Sequence, residues 1–188
     1  MQTQLPDLSH LVNQISLYNS QQAYKELFKY LYPALFSFSF SLLKSREPAE
    51  EVANDVLISL WRNRKSLLTI RNIKIYSFVM ARNRSLNVIN SDKKHQLLAI
   101  DDLEIEMVLS DLDPEQSLIN GELKEKLQDA INSLPKQCKM VFKLIKEDGC
   151  SYKETASILN ISTKTVDAHL VTAVKKLTVL LQLEYKLK

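Results

Sequence analysis

The sequence predicts an all-α fold: two small helical bundles joined by an acidic flexible linker, the C-terminal one containing a helix-turn-helix. Three observations predict it. The 188 residues include only two glycines and five prolines, and alternating strand-like segments are missing, which favours helices throughout. Apolar residues recur at helical spacing on both sides of the middle of the chain. Between residues 96 and 122 there are eight acids and no Lys or Arg, with Pro114 among them, and acids alternating with apolar residues there read as a tether. The expected division is 1–95, a linker over 96–116, and 117–188.

In chain order, Leu8, Leu11, Val12 and Ile15 mark a short amphipathic helix. A second starts near Gln21, with Ala23, Leu27, Tyr30 and Leu31 inward. Pro33 is expected to end it and to open a new helix through Leu35, Phe38 and Leu42, because proline fits the first helical position. Pro48 opens the next, running through Arg62, and a loop, SLLTIRN, leads into a helix from about Ile73 to Asn90. Beyond the tether come a helix around Leu118 to Ser133 and another opened by Pro135, which Gly149 is placed to end.

The stretch from Ser151 to Leu177 is the most specific signal. Ser151 and Glu154 have capping-box spacing, Ala156, Ile158 and Leu159 give an apolar side, and Asn160 tolerates the left-handed turn that follows. Ser162 caps a second helix whose expected inner stripe is Val166, Leu170, Val174 and Leu177. That leaves Thr163, Lys164, Asp167, Ala168, His169 and Thr172 outward, as in a helix that enters the major groove of DNA. An ordinary helical hairpin with a solvated face has the same pattern.

Composition narrows the function classes. No apolar run is long enough to cross a bilayer, and the polar start MQTQLPDLSH is no signal peptide. Cys138 and Cys150 are the only cysteines and form no CxxC pair, so a reducing cytoplasm is the natural compartment. His10, His95 and His169 are scattered, with no metal-ligand spacing to either cysteine, and Cys138 falls on a core face with Val141, Phe142 and Ile145. Cys150, beside a turn, is expected to be partly exposed. No P-loop or nucleophile elbow is present. No enzyme activity, cofactor, metal site or small-molecule substrate is therefore expected.

Charge is segregated. From Trp61 to Lys94 there are nine Lys or Arg against one acid, Asp92, which suits nucleic acid contact beside the acidic tether. On the helix PAEEVANDVLISLWRNR, Ala49, Val52, Val56 and Leu60 form the inner stripe. Asn54, Ile58 and Trp61 face elsewhere, flanked by Glu51 and Asp55. An apolar pair framed by acids suits protein docking, although Trp61 folded beneath a neighbouring helix would have the same spacing. On the next helix, Ile75, Phe78, Val79, Leu86 and Ile89 make an apolar stripe, while Tyr76, Met80, Asn83 and Asn87 line an adjacent face beside Arg84. An aromatic ring and two Asn side chains one turn apart can stack on and hydrogen-bond to unpaired bases. Arg71, Lys74, Lys93 and Lys94 would supply phosphate contacts. Arg82 falls inside the apolar stripe and is expected to pair with a carboxylate, Asp55.

These segments resemble the bacterial extracytoplasmic-function sigma factors. EEVANDVLISLW is similar to the family's DLVQEVFLRLW segment, and NIKIYSFVMARNRSLNVI to its AWLYRIARNLALDYL segment. INSLPKQCKMVFKLIKEDGCSYKETASILNISTKTVDAHL resembles its L-P…Y-x-E-I-A…T-V-x-x-H/R block. The resemblance runs from about Gln21 to Leu181 in the family's order. It implies a first domain that docks on the clamp helices of the largest subunit of core RNA polymerase, with Asn54 and Asp55 at the family's Gln-Glu pair and Ile58 and Trp61 alongside. It implies capture of unpaired minus-ten bases by the helix bearing Tyr76, Asn83 and Asn87. It also implies reading of the minus-thirty-five duplex through Lys164, Thr165, Asp167, Ala168, His169 and Thr172. The linker resembles the segment that threads polymerase channels, and relatives are commonly held by an anti-sigma factor. The chain departs from its relatives at Val88, Ile89 and Asn90, where an aromatic, Leu and Arg are usual. It departs again at Asp167, where many carry Arg, so the resemblance leaves the promoter sequence open.

Two other readings stay open on the residues alone. NISTKTVDAHLVTAVKKL also resembles the output domain of LuxR-type regulators, which would make the protein a stand-alone DNA-binding regulator. A protein-binding adaptor would use the Ile58 and Trp61 patch and leave the helix-turn-helix idle.

Overall fold

The computed structural model describes residues 6–92 and 121–185, with side chains described for 6–91 and 127–180. The expected linker over 96–116, and Lys93, Lys94 and His95, lie outside the described residues. Among the described residues, eight α-helices, a 3₁₀ turn and a π-helical stretch follow in the order now given, and no strand occurs. Helix α1 spans Leu8–Tyr18, α2 Gln21–Leu43, α3 Arg46–Arg62, and a 3₁₀ turn Arg64–Thr69 leads to α4, Ile73–Asp92. Farther along come α5, Gly121–Asn132, and α6, Lys136–Phe142, which runs on in π-helical form over Lys143–Glu147. Then α7, Tyr152–Leu159, and α8, Thr163–Tyr185, complete the chain.

Local chemistry explains the helix ends. Asp7 caps α1 by accepting from the backbone of Ser9 and His10, and Ser20 caps α2 by accepting from Ala23. Asn19, Lys44 and Asn160 take left-handed conformations where α1, α2 and α7 stop. The capping box at α7 is complete: Ser151 Oγ accepts from Glu154 N at 3.3 Å, and Ser151 N donates to Glu154 Oε2 at 2.8 Å. Gly149, at φ 64°, turns the chain between the π-helical segment and α7.

Pro33 does not divide the chain. It lies inside one continuous α2, although proline in a helix interior costs about 3 kcal/mol. The stripe Ala23, Leu27, Leu31, Leu35, Phe38 and Leu42 is buried along the whole helix, and that burial outweighs the lost hydrogen bond. Pro48 sits within the first turn of α3, where its missing N–H has no partner to lose. On α4 the most deeply buried positions are Ile73, Ser77, Phe78, Ala81 and Ser85. These mostly small side chains let α4 lie close against α2 and α3, with Phe38 and Phe78 meeting edge to face at 5.2 Å.

One core cluster runs from α1 to α4 and continues through Met140, Val141, Leu144, Ile158, Val166 and Leu170 of the C-terminal half. A second, smaller one joins Ala130, Ile131, Leu134 and Cys138 to Ala173 and Leu177. The inner stripe of α8 is thus Val166, Leu170, Ala173 and Leu177. Val174, expected inside, is 43 % exposed, because the cluster beneath accepts a small alanine at close range and the helix rotates accordingly. Cys150, expected to be partly exposed, is buried.

Candidate nucleic-acid and protein interfaces

On α3 the inner stripe Ala49, Val52, Ala53, Val56, Leu57 and Leu60 leaves Glu51 and Ile58 outward, with Ile58 43 % exposed. Asn54 and Asp55 are half-buried beside them. Trp61 is also half-buried and packs against the core. One side of its ring meets Tyr24 at 4.9 Å, and the Arg64 guanidinium lies 4.7 Å from the ring centroid. Tyr24 is itself fixed, its hydroxyl donating to Leu57 O at 3.0 Å, and burial raises its pKa. Glu51, Ile58 and Trp61 therefore form a firm apolar and acidic edge.

The carboxylate of Asp55 belongs to Arg84, not to Arg82. Arg84 Nη1 donates to Asp55 Oδ2 at 2.7 Å, and Nη2 donates to Ser59 Oγ at 2.8 Å. Residues two positions apart in a helix lie about 200° apart around its axis, so only one of the pair can face α3. Arg82 instead packs its partly buried stem, reaches Asn83 Oδ1 at 3.3 Å, and has its pKa lowered by burial. The Arg84 bridge ties the α3 face to the α4 face, joining two patches that the sequence treats separately.

Along α4, Tyr76 is 41 % exposed, and Asn83 and Asn87 are also exposed, on the face opposite Phe78 and Ala81. Met80 is half-buried against the core. Lys74 Nζ donates to the carbonyl of Asp148. Arg71, exposed, lines an open cleft with Leu8, Val12, Leu67 and Leu68. On α8, Thr163, Lys164, Asp167, Ala168 and Thr172 are exposed, Thr165 and His169 half-buried. Ser162 Oγ accepts from Thr165 N at 3.0 Å and lies 2.7 Å from Thr165 Oγ1, so Thr165 serves the helix cap as well as the surface. Thr172 Oγ1 donates back to Ala168 O at 2.8 Å. The first two turns of α8 thus present a continuous polar face, stiffened by a capped start and a left-handed turn at Asn160.

Residues 27–95 match the family model of Sigma-70 region 2, and residues 124–177 that of Sigma-70, region 4. The chain belongs to the sigma-70 family. The fold is shared with solved sigma factors. The structure described as CnrH in complex with the cytosolic domain of CnrY aligns at a TM-score of 0.59 and 18 % identity, covering 93 % of this chain and 96 % of that one. The sigma factor RpoE of Bartonella quintana, in complex with the anti-sigma factor NepR, aligns at 0.56 and 22 %, covering 85 % and 96 %. No curated protein matches the sequence. The expectation of a sigma factor holds, as does the all-α class. A stand-alone LuxR-type regulator is not favoured, since the N-terminal half matches region 2.

The sigma factor's region 2 holds α2 to α4, and its region 4 holds most of α5 through much of α8. Several contributors escaped the sequence reading. Tyr24 and Arg64 flank Trp61, and a period of four from Tyr24 through Phe28, Tyr32 and Phe36 to Phe40 would have shown the aromatic ladder that stacks along α2. Ser59 completes the Arg84 bridge. Cys138 lies against His169, its Sγ 3.6 Å from Nδ1. No spacing rule finds a pair on two different helices 31 positions apart. Among the described residues no group of three or more His, Cys, Asp or Glu is placed to hold a metal ion, and no helix is long and apolar enough to cross a membrane.

Proposed function

We propose that this sigma factor docks on the clamp helices of core RNA polymerase through Glu51, Asn54, Asp55, Ile58 and Trp61, and brings the enzyme to its promoters. The domain limits that go with this reading are 1–95 for docking and minus-ten capture, 96–116 for the tether, and 117–188 for minus-thirty-five reading. Unpaired minus-ten bases stack on Tyr76 and hydrogen-bond to Asn83 and Asn87, with Met80 beside them and Arg71, Lys74 and Arg84 as the cations. Each captured base offsets part of the few kcal/mol that unstacking costs, which favours the open promoter. The first turns of α8 read the duplex through Thr163, Lys164, Thr165, Asp167, Ala168, His169 and Thr172. Asp167 suits a cytosine amino group, the one base-edge donor pattern a carboxylate reads well. The protein does no chemistry of its own, works in the cytoplasm where polymerase is, and is held in check by an anti-sigma factor, as RpoE and CnrH are captured with partners.

The observation that carries this reading is that region 2 and region 4 occur in one chain with their outward faces open: Ile58 on α3 and Lys164, Asp167 and Ala168 on α8 are all exposed. The test is reconstitution with core polymerase. The wild-type chain should form a complex that transcribes selectively from a random promoter pool. Ile58→Asp should abolish the complex while leaving the fold intact, and Lys164→Ala should spare the complex but weaken promoter selection. No complex between wild-type protein and core enzyme would refute the proposal.

A further inference from the structure

His169 differs from every other residue of the proposed reading face in being held from inside the protein by a group on another helix. Cys138, on α6, is 3 % exposed, and its Sγ lies 3.6 Å from His169 Nδ1, within the reach of a sulfur hydrogen bond. Around it Ala130, Ile131, Leu134, Ala173 and Leu177 close the small second core. The ring is therefore anchored at its Nδ1 edge, while Lys164, Asp167 and Thr172 are exposed.

The direction of that bond follows from the chemistry of the two groups. Burial raises the pKa of Cys138, partly countered by the charge of Lys176, so the thiol keeps its proton at neutral pH. A thiol is a weak donor and a weaker acceptor, whereas the unprotonated ring nitrogen of histidine accepts well. The stable arrangement has S–H donating to Nδ1. The nitrogen that accepts carries no proton, so in the neutral ring the proton sits on Nε2.

We infer that Cys138 is a positioning residue for promoter recognition: its thiol donates to His169 Nδ1, fixes ring and tautomer, and leaves Nε2–H as a donor to an acceptor on a base edge in the major groove. The inference rests on the proposed reading of duplex by α8. The ligand atoms that fit a single fixed donor there are guanine N7 and O6, adenine N7 and thymine O4. Cytosine offers only its amino group and is disfavoured. The thiol thus selects against one base without touching DNA. Cys150, the other free cysteine, is engaged elsewhere, its thiol donating to the Asp148 carbonyl at 4.0 Å.

The test has two arms on the full chain. In the first, nitrogen-15 NMR of the three histidines reads the tautomer of His169 directly, without DNA. Wild type and Cys138→Ser, whose hydroxyl also donates, should show an unprotonated Nδ1 and a protonated Nε2. Cys138→Ala and Cys138→Val should lose the Nδ1 hydrogen bond and show an averaged ring, with unchanged circular dichroism as the control for folding. A protonated Nδ1 in the neutral wild-type ring overturns the inference.

In the second arm, the protein with core polymerase transcribes from a library randomised across the upstream element. Cys138→Ala should lower discrimination at one base pair by about two- to tenfold, the loss of one modest hydrogen bond's worth of orientation, and Cys138→Ser should restore it. His169→Ala should erase preference at that same pair. If His169→Ala alters no preference, the reading of duplex by His169 fails and the inference with it, whatever the tautomer. If His169→Ala alters the preference and Cys138→Ala does not, only the inference is overturned.

Discussion

Asp148 carries a charge where the fold makes one costly. Its side chain is 6 % exposed, and its Oδ2 has no hydrogen-bond partner, lying 3.8 Å from Lys143 Nζ. That lysine, itself buried, binds the neighbouring Glu147 at 2.8 Å instead. Desolvation raises the pKa of Asp148 from 3.8 to about 6, with Glu147 adding to the rise and Lys143 and Lys74 opposing it. At roughly 1.4 kcal/mol per pKa unit, the charged form in the folded protein is penalised by about 3 kcal/mol. The folded pKa lies above the unfolded one, so the folded chain binds this proton more tightly. The stabilisation it brings is complete below pH 4, falls as pH rises, and is gone above about 6.

Asp148→Asn removes the charge while keeping the shape. The variant should be more stable than wild type at pH 7.5, by about 1–3 kcal/mol, and the difference should shrink towards zero at pH 4. Because helices of both halves share one core cluster, urea unfolding followed by circular dichroism should give a single transition at each pH from which the difference is read. Equal differences at pH 4 and pH 7.5, or a variant less stable at pH 7.5, would mean that Lys143 and Lys74 outweigh desolvation.

Two further outcomes follow from packing. Phe38→Ala opens a cavity beneath a side chain with no exposure, in edge-to-face contact with Phe78, and should cost about 3–5 kcal/mol in the same urea assay. Pro33→Ala, at an exposed position inside α2, restores a helical hydrogen bond and should raise stability by about 1–3 kcal/mol. A loss of stability there would show that the proline sets a bend which the packing of α2 requires.

What was legible in the sequence was local. A capping box at Ser151 and Glu154, a left-handed Asn160 and apolar positions three and four apart are written within one or two turns of helix, so the helix-turn-helix and the all-α class could be read directly. What required the third dimension was missed or displaced. Pro33 looks like a break until the burial on both sides of it is known. Val174 and Ala173 differ in facing by a single position, and only the depth of the cluster under α8 decides for the smaller residue. Arg82 and Arg84 are both far from Asp55 in sequence, and only the rotation of α4 against α3 gives that carboxylate to Arg84. The candidate site divides the same way: outward positions on α8 were readable from period, whereas the thiol behind His169 and the ring beneath Trp61 come from other helices.

The structure also brings the two halves together, which no spacing could reveal. Asn72 Oδ1 accepts from Ile75 N to cap α4, while its Nδ2 donates to Glu154 Oε1 at 2.9 Å. Glu154 is the same residue whose other oxygen completes the capping box of α7. Lys74, two residues on, is held by the carbonyl of Asp148, and Met140 reaches the neighbourhood of Ser41 on α2. The starts of α4 and α7 are thus tied by groups that also terminate them, so neither helix loses its cap when the halves meet. The consequence for the proposed function is an asymmetry. Lys164, Asp167 and Thr172 are exposed with the halves in contact, so α8 presents its reading face in this state. Lys74 is committed to a backbone carbonyl, and it reaches a phosphate only when that bond is exchanged. Duplex recognition by α8 accordingly requires no change at this contact, whereas full use of the α4 cations on single-stranded DNA requires the Asp148 carbonyl, in the turn before α7, to release Lys74.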